Sequence, residues 1–494
     1  MDWVSFSGLV IAINLVGAFI LTLYKLGELH LLYYYLTRRR RRRSDVTPPP
    51  LSESALPRVT VQIPMYNELY VAERIIDACV ALDYPRPLLD IQVLDDSTDQ
   101  SLEVARARVA HWQQQGVNIT LLHRERRDGY KAGALAAATP LAKGEYIAIF
   151  DADFVPPPDF LRRALPQFRD ERVGVFQARW GHLNPNYSML TRVQTVFLDM
   201  HFIIEHQARQ AAGLWSRFNG SAGIWRSACL ADADGWSADT LAEDLDLVFR
   251  AQLKGWKVLY DPTLVAPAEV PVRVSDLKAQ QYRWTKGKAQ VIRKLGGAVL
   301  RARLPLLVKG HALFDLFNLT AFPGILLLSL GTVPLLWVML AHPEYLPYLA
   351  WASGLFVVNS LVWPWYVLVV LRQRHRSWLG ALGEFVLVFP PLVPIAMSAT
   401  VFQVTAILDG FFGKATAFEK TGKFRIVQRS DRWRDKFRAS GHMGVTTYLE
   451  GGMMLVFVSA IGLGFHLNNL AILPFHVILA CGYAYIFSQS ILRS

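Results

Sequence analysis

Apolar stretches long enough to cross a lipid bilayer lie toward both ends of this sequence, and its middle has none. They cover residues 3–23, 314–340, 346–371, 378–408 and 451–491. A helix of about 20 apolar residues spans the hydrocarbon core, so each stretch is a candidate span, and the last is long enough for a hairpin of two. The sequence therefore predicts a membrane part and, before residue 300, a globular domain with its own core.

The charge distribution indicates on which side of the membrane this domain lies. The chain has 52 Lys and Arg against 40 Asp and Glu, a net charge of +12, and much of the excess lies in residues 38–43, 372–376 and 414–438. Each basic run adjoins an apolar stretch, which is typical of the cytoplasmic ends of membrane spans. Nucleic-acid binding, the other common reason for such runs, is therefore not expected, and the lipid bilayer is the expected partner.

The basic runs give a predicted topology for an integral protein of the plasma or inner membrane. With residues 38–43 inside, the N-terminus lies outside, and the first stretch is a retained anchor and not a cleaved signal peptide. The stretches 314–340 and 346–371 then leave and re-enter the cytoplasm. The hairpin at 451–491 returns the C-terminus to the cytoplasm as well.

The stretch 378–408 decides the number of crossings. A single crossing there would put the basic segment 411–445 outside, against the usual bias. We therefore expect an interfacial or re-entrant helix, broken near Pro390, Pro391 and Pro394, and about five spans in all. The alternative is a simple sixth span.

These observations divide the chain into six predicted segments. They are an N-terminal transmembrane helix at 1–36, a basic and proline-rich linker at 37–56, a cytoplasmic domain at 57–300, a transmembrane hairpin with the interfacial helix at 301–410, a basic cytoplasmic loop at 411–445, and a C-terminal hairpin at 446–494.

The cytoplasmic segment alternates strand-like and helix-like runs, which predicts a sheet with helices on both faces. Short β-branched or aliphatic runs at 59–64, 89–94, 119–123 and 146–150 are the predicted strands. In open α/β sheets, ligands bind beyond the carboxyl ends of the strands. Two acidic pairs, Asp95-Asp96 and Asp151-Ala152-Asp153, follow predicted strands at such ends.

The pattern Asp151-x-Asp153 fits a divalent cation. Mg²⁺ and Mn²⁺ prefer oxygen ligands and are commonly held by one or two carboxylates together with substrate phosphates. Acidic residues after a strand also form turns and cap helices, so this pattern alone does not separate a metal site from a turn.

A series of further motifs accompanies this pattern in a fixed order. They are Ile63-Pro64-Met65-Tyr66-Asn67-Glu68, Asp95-Asp96-Ser97-Thr98-Asp99, Lys131-Ala132-Gly133-Ala134-Leu135, the D-x-D, Phe218-Asn219-Gly220-Ser221, Glu243-Asp244-Leu245-Asp246-Leu247 and Gln280-Gln281-Tyr282-Arg283-Trp284. The series resembles the family 2 glycosyltransferases, most closely the cellulose synthase-like branch with its cellulose, mannan and glucomannan synthases. The resemblance implies a type A glycosyltransferase fold, a Rossmann-like mixed sheet, joined to an α-helical transmembrane domain.

The resemblance also implies roles for individual residues. Carried over motif by motif, the nucleotide-sugar is bound by Tyr66, Glu68, Asp95, Asp96, Lys131, Asp151, Gln280 and Arg283; Mg²⁺ or Mn²⁺ by Asp151 and Asp153; and the acceptor by Trp284, Phe218, Asn219 and Gly220. Asp244, next to Glu243, corresponds to the general base that takes the proton of the acceptor hydroxyl. Ala242 stands where the motif usually has Thr. Residues 418–423 partly match the gating loop that closes over the donor in such synthases.

The implied function is an inverting transferase, which needs a base but no nucleophilic carboxylate. The resemblance favours UDP-glucose as donor, with GDP-mannose left open, and a β-linked polysaccharide that the spans also translocate. The alternative is a single transfer to a lipid, as in ceramide glucosyltransferase-like enzymes, so the acceptor is a glycan or a lipid. A non-catalytic nucleotide-sugar receptor is disfavoured, because every expected carboxylate is present. Linkage and oligomeric state are left undetermined.

Overall fold

The structure is a computed structural model that describes residues 3–38, 48–413, 421–433, 436 and 444–491. Residues 39–47 of the predicted basic linker lie outside the described residues. So do residues 414–420, 434–435 and 437–443 of the predicted cytoplasmic loop, including the first half of the proposed gating motif.

One seven-stranded sheet forms the centre of the globular domain. Its strands are β1 Val59–Met65, β2 Leu89–Asp95, β3 Ile119–His123, β4 Tyr146–Ile149, β5 Val173–His182, β6 Gly223–Arg226 and β7 Lys257–Ala268. Their order is β3-β2-β1-β4-β6-β5-β7, and β6 runs antiparallel to both of its neighbours while the other pairs are parallel. The predicted mixed sheet and its four predicted strands are all present.

Seventeen α-helices fall within the described residues. They are α1 Trp3–Arg38, α2 Ala72–Val80, α3 Ser101–Gln114, α4 Tyr130–Ala138, α5 Phe160–Ala164, α6 Met189–Asp199, α7 His206–Ala212, α8 Ser227–Asp232, α9 Glu243–Leu253, α10 Val274–Arg301, α11 Leu306–Phe317, α12 Ala321–Ala341, α13 Leu346–Arg374, α14 Trp378–Ser398, α15 Thr400–Phe412, α16 Val445–His466 and α17 Leu473–Ile491. A π-helix, Met200–Glu205, joins α6 to α7.

The sheet is covered on both faces, which explains the nearly continuous apolar runs of its parallel strands. All seven residues of β2 are buried. On one face Ile75 of α2 and Val109 of α3 belong to the core; on the other, Leu135 of α4, Leu247 of α9 and Val291 of α10 do. This packing fixes the strand ends from which the candidate site residues project.

The strand register brings the chemically important segments to one edge. Met65 pairs with Asp95, and Gln62 pairs with Ile149, so the residues after β1, β2 and β4 emerge side by side. Because β6 is antiparallel, the residues that precede Gly223 reach the same edge. The four motifs that meet there lie far apart in the sequence.

Four helical segments among the described residues are long and apolar enough to cross a membrane. They are Phe6–Thr37, Leu306–Ala341, Trp378–Ser398 and Val445–His466. Among the apolar helices, α1 packs against α12, α14 against α13 and α17, and α16 against α17. The number of crossings and the side of each terminus remain predictions.

The predicted break near Pro390, Pro391 and Pro394 is wrong. Helix α14 continues through all three prolines, and the chain bends only at Ala399, before α15. Prolines are tolerated in membrane helices when other groups satisfy the freed carbonyls. The helix packs against α13 and α17 along this stretch. Helix α15, the shorter apolar helix, packs along α10 of the globular domain.

Candidate active site

A cavity of about 220 Å³ opens at the carboxyl edge of the sheet. Nearly all of the residues singled out from the sequence line it: Tyr66, Glu68, Asp96, Lys131, Asp151, Asp153, Asn219, Gly220, Glu243, Asp244, Gln280, Arg283 and Trp284. The side chains of Asp95 and Phe218 do not. The fold thus brings residues of all seven sequence motifs together around one cavity.

The segment after β1 is fixed to the segment after β2 by hydrogen bonds. Asn67 has a left-handed backbone (φ 55°); its amide donates to Ser97 Oγ at 2.7 Å, and its side-chain oxygen accepts from the Thr98 amide at 2.8 Å. Tyr66 is thereby held at the cavity wall. The guanidinium of Arg127 lies 3.4 Å from the centre of its ring, a cation–π contact. Sequence reasoning missed Arg127, although it lies four residues before the lysine of the K-A-G motif.

The two carboxylates after β2 have different environments. Asp96 faces the cavity and pairs with Arg124 through two hydrogen bonds of 2.8 and 2.5 Å. Asp95 is completely buried and accepts a hydrogen bond of 2.7 Å from the Ser97 amide; burial raises the pKa of Asp95. Asp95 was expected to contact the nucleotide, but its side chain does not line the cavity. Its side chain points into the turn, because neighbouring residues at a strand end face opposite sides, and it shapes the loop that presents Asp96.

Lys131 lies at the centre of the site. Its Nζ is 2.5 Å from Asp151 Oδ1, 2.9 Å from the Gly220 carbonyl oxygen and 3.9 Å from Glu243 Oε1. Burial lowers the pKa of Lys131, but the nearby carboxylates of Asp151 and Glu243 outweigh it, so the net shift is upward. The ammonium stays charged and is positioned to receive phosphate oxygens.

The predicted loop segment closes one side of the cavity with two of its described residues. Lys423 forms an ion pair with Asp153. Thr421 Oγ1 accepts a hydrogen bond of 2.8 Å from Arg283 Nη2. Residues 421–423 thus contact both a candidate metal ligand and a candidate phosphate-binding guanidinium.

Asp151 and Asp153 fit a divalent cation of the Mg²⁺ or Mn²⁺ type. Both carboxylates attract a cation in this structure, since Lys131 pairs with the first and Lys423 with the second. No group of three or more His, Cys, Asp or Glu side chains suited to a metal lies within the described residues. A two-carboxylate set is what such an ion uses when the substrate's phosphates complete its coordination.

The carboxylate of Asp244 lies at the start of α9, against Gly220. Its Oδ1 accepts a hydrogen bond of 2.7 Å from the Leu245 amide. Burial, followed by the neighbouring charge of Glu243, raises the pKa of Asp244 to about 7. Gly220 has φ +79°, and a Cβ atom there would come 3.0 Å from Asp244 Oδ2. The arrangement places in the cavity a carboxylate whose pKa lies near neutral pH and which can act as a base, with the close approach made possible by a glycine.

The Phe218-Asn219-Gly220 segment differs from expectation. Phe218 is 1% exposed and packs edge-to-face on Trp225, with ring centroids 5.3 Å apart. The expected contact of Phe218 with the acceptor is therefore wrong, because β6 turns this ring into the core. Asn219 reaches the cavity wall, but its side-chain amide lies 3.1 Å from His201 and 2.9 Å from His206. The two histidines carry no sequence signal that points to the site.

Helix α10 presents Gln280, Arg283 and Trp284 on one side, as the i, i+3, i+4 spacing requires. Trp284 is 39% exposed, which leaves its indole available for a ligand. The same helix is fixed to the membrane part, since Lys278 Nζ lies 2.8 Å from Glu450 of α16. The membrane helices therefore help to position the cavity wall.

Known proteins resemble this chain over the same region. The sequence model of the family described as "Glycosyltransferase like family 2" matches residues 57–287. Glucomannan 4-beta-mannosyltransferase 7 of Arabidopsis thaliana is 42% identical over 270 residues, 53% of this chain and 49% of that protein. Glucomannan 4-beta-mannosyltransferase 1 of Oryza sativa subsp. japonica is 40% identical over 273 residues, 54% of this chain and 52% of that protein. The chain thus spans about half the length of the curated relatives it matches.

A solved structure shares the fold. The mannosyltransferase PcManGT from Pyrobaculum calidifontis, in complex with GDP-Man and Mn²⁺, aligns with a TM-score of 0.53 and 22% identity. The alignment covers 82% of this chain and 100% of that one. At this identity the likeness concerns the fold, and it agrees with the predicted type A mixed sheet.

Proposed function

We propose, from the match of residues 57–287 to the family 2-like glycosyltransferases, that the chain is an inverting membrane glycosyltransferase that builds a β-linked, mannose-containing polysaccharide from GDP-mannose. The relatives described above are, by their names, glucomannan mannosyltransferases. They give no support to UDP-glucose, the donor that the sequence resemblance favoured, so GDP-mannose replaces it in this proposal.

The observation that carries the proposal is the placement of Asp244 beside Lys131 and Asp151 in one cavity. An inverting transfer needs a base on one side of the anomeric carbon and groups that accept the departing diphosphate on the other. Asp244 supplies the base, and the Lys131 ammonium and the Arg283 guanidinium supply the positive charge.

Each residue has a definite task in this reaction. Tyr66, with Arg127 above it, and Asp96 lie where β1 and β2 end and hold the nucleotide. Lys131 and Arg283 bind the diphosphate and offset its charge as the sugar bond breaks. A divalent cation held by Asp151 and Asp153 would offset more of that charge when bound.

Asp244 completes the transfer from the acceptor side. It takes the proton of the acceptor hydroxyl as the oxygen attacks the anomeric carbon, opposite the diphosphate, so the configuration inverts. Trp284 offers an exposed indole face on which the acceptor sugar can stack. Residues 421–423 leave Asp153 and Arg283 when the donor enters.

Product analysis tests the proposal. The purified protein in lipid vesicles is incubated with labelled GDP-mannose or UDP-glucose and Mn²⁺, and the products are sized and digested with a β-mannanase. We expect release of GDP and a high-molecular-weight, β-mannanase-sensitive product. A lipid-extractable monosaccharide conjugate would favour the lipid-acceptor alternative, and absence of consumption of either donor would contradict a transferase function.

A further inference from the structure

The strand order separates the cavity into two halves. Tyr66 and Asp96 follow β1 and β2, whereas His182 ends β5 and lies beside β7. From β2 to β5 the sheet runs through β1, β4 and β6, so the two halves lie four strand spacings apart, on the order of 19 Å. Asp151 and Asp153 follow β4, between them. If the nucleotide lies at β1 and β2, the half at β5 and β7 is left for the acceptor.

In this second half, His182 lines the cavity close to Trp180. Its ring is 7% exposed, and Nε2 lies 3.1 Å from Asp199 Oδ1. Trp180 is held by stacking on Phe202, at 5.1 Å between ring centroids, and by a hydrogen bond of 3.2 Å from its indole N–H to the Ser221 carbonyl. An aromatic face and an imidazole edge therefore lie next to each other on the cavity wall.

Asp199 is held in place by Arg374, which ends helix α13. Its side chain is 2% exposed, and Oδ2 accepts hydrogen bonds of 2.9 and 2.5 Å from Nε and Nη2 of Arg374, the last residue of α13. Arg179 Nη2 lies 3.9 Å from Oδ1. The hydrogen bond from His182 and the charges of Arg374 and Arg179 outweigh burial and hold the pKa of Asp199 at about 2. The carboxylate is therefore ionised at neutral pH.

We propose that His182 binds a hydroxyl group of the acceptor sugar through Nδ1, beside the face of Trp180, and that Asp199 and Arg374 are positioning residues that fix its imidazole. The inference rests on the proposed function, because it assumes a sugar acceptor.

The chemistry of the ring determines the direction of this contact. An ionised carboxylate accepts a hydrogen bond, so we assign to His182 the tautomer that carries its N–H on Nε2, facing Asp199. Nδ1 is then an acceptor, and no described residue hydrogen-bonds to it. A sugar hydroxyl is a donor that fits it. Since Arg374 ends α13, the acceptor-binding group is coupled to a helix of the membrane part.

Acceptor kinetics test this role. Wild type and His182→Phe are compared with GDP-mannose and short β-1,4-linked manno-oligosaccharides as acceptors. Loss of one hydrogen bond is expected to raise the acceptor KM about tenfold, while the donor KM and the hydrolysis of donor without acceptor stay unchanged. His182→Asn, whose amide oxygen can take the place of Nδ1, is expected to retain part of the affinity. His111→Phe, an exposed histidine on α3, is the matched control.

A matched pair of arginine variants tests the positioning role of Arg374. Arg374→Gln is expected to raise the acceptor KM several-fold. Arg372→Gln removes the same charge from the same basic run and is expected to leave it unchanged, since Arg372 contacts the His375 carbonyl and the Trp378 ring and not Asp199. In the double variant with His182→Phe, Arg374→Gln adds nothing further to the acceptor KM. An additive effect would overturn the positioning role.

Calorimetry separates this inference from the proposed function. Binding of the oligosaccharide is measured without donor, so it does not depend on turnover. Weaker binding by His182→Phe supports the role of His182, and unchanged binding, or no binding by the wild type, overturns it. Failure of the wild type to consume any sugar nucleotide contradicts the transferase function, and the binding result still decides the role of His182.

Discussion

Lys423 forms an ion pair with Asp153, although the two residues are 270 positions apart in the sequence. Their side chains are 14% and 8% exposed, so the pair is shielded from water. Asp153 is one of the two carboxylates suited to a divalent cation. The ammonium of Lys423 therefore occupies the position at which such a cation would be held.

The first prediction follows from this competition. Lys423→Ala removes the competing cation, so we expect several-fold tighter binding of Mn²⁺ in the absence of donor, measured by electron paramagnetic resonance of the free ion. Lys257→Ala, which removes an exposed lysine paired with Asp170 far from the cavity, serves as control. Equal Mn²⁺ affinities in all three proteins would show that Lys423 does not compete for this position.

The second prediction concerns the base. Asp244→Asn cannot take a proton but keeps the shape of the side chain, so we expect transfer to fall by at least about 100-fold while GDP-mannose binding is unchanged. Transfer is measured as polymer formation and donor binding by calorimetry. Asp239→Asn, at a surface carboxylate paired with Lys294, is the control. Full activity of Asp244→Asn would remove Asp244 from the mechanism.

The third prediction is a pH profile. A base acts in its ionised form, and the pKa of Asp244 is raised to about 7, so kcat/KM should rise as the pH increases through about 7 and fall below it. Glu243→Gln removes the neighbouring negative charge that contributes to this shift. The inflection in the pH profile of kcat/KM should therefore lie at lower pH in this variant than in the wild type. An inflection that stays at the wild-type pH would mean that another group controls the profile.

The fourth prediction tests the close approach of Gly220 to the base. Gly220→Ala would place a Cβ atom 3.0 Å from Asp244 Oδ2 and 3.4 Å from Lys131 Nζ. We expect kcat to fall about tenfold or more, because the side chains of Asp244 and Lys131 must both move.

Gly213→Ala is the matched control for this variant. Gly213 also has a positive φ, +68°, but nothing lies within 4 Å of its added Cβ. Both variants should lose similar stability from backbone strain, about 1 kcal/mol, measured by thermal unfolding, while only Gly220→Ala loses activity. Equal activities would show that the site tolerates the displacement.

The local patterns were sufficient to predict much of the fold. The β-branched runs at 59–64 and 146–150 became strands because they fit a buried pleated surface, and the acidic pairs after β2 and β4 reached the ligand-binding edge, as parallel strands require. The i, i+3, i+4 spacing of Gln280, Arg283 and Trp284 likewise predicted one helix face.

The errors concern residues whose environment depends on distant segments. The sequence could not distinguish Asp95 from Asp96, since only the buried turn shows which carboxylate faces the cavity. The prolines of α14 predicted a break, but the helix is continuous and packs against the neighbouring helices α13 and α17.

The sequence by itself determined the long apolar helices, the mixed sheet and the chemical types of the candidate site residues, because these depend on local hydropathy, periodicity and motif. Only the tertiary structure decided that Lys423 forms an ion pair with Asp153 and that Gly220 lies against Asp244. It also decided that Arg374 binds Asp199, which in turn holds His182. Such contacts join segments whose separation along the chain carries no information about their distance in space, since strand order and helix packing set that distance.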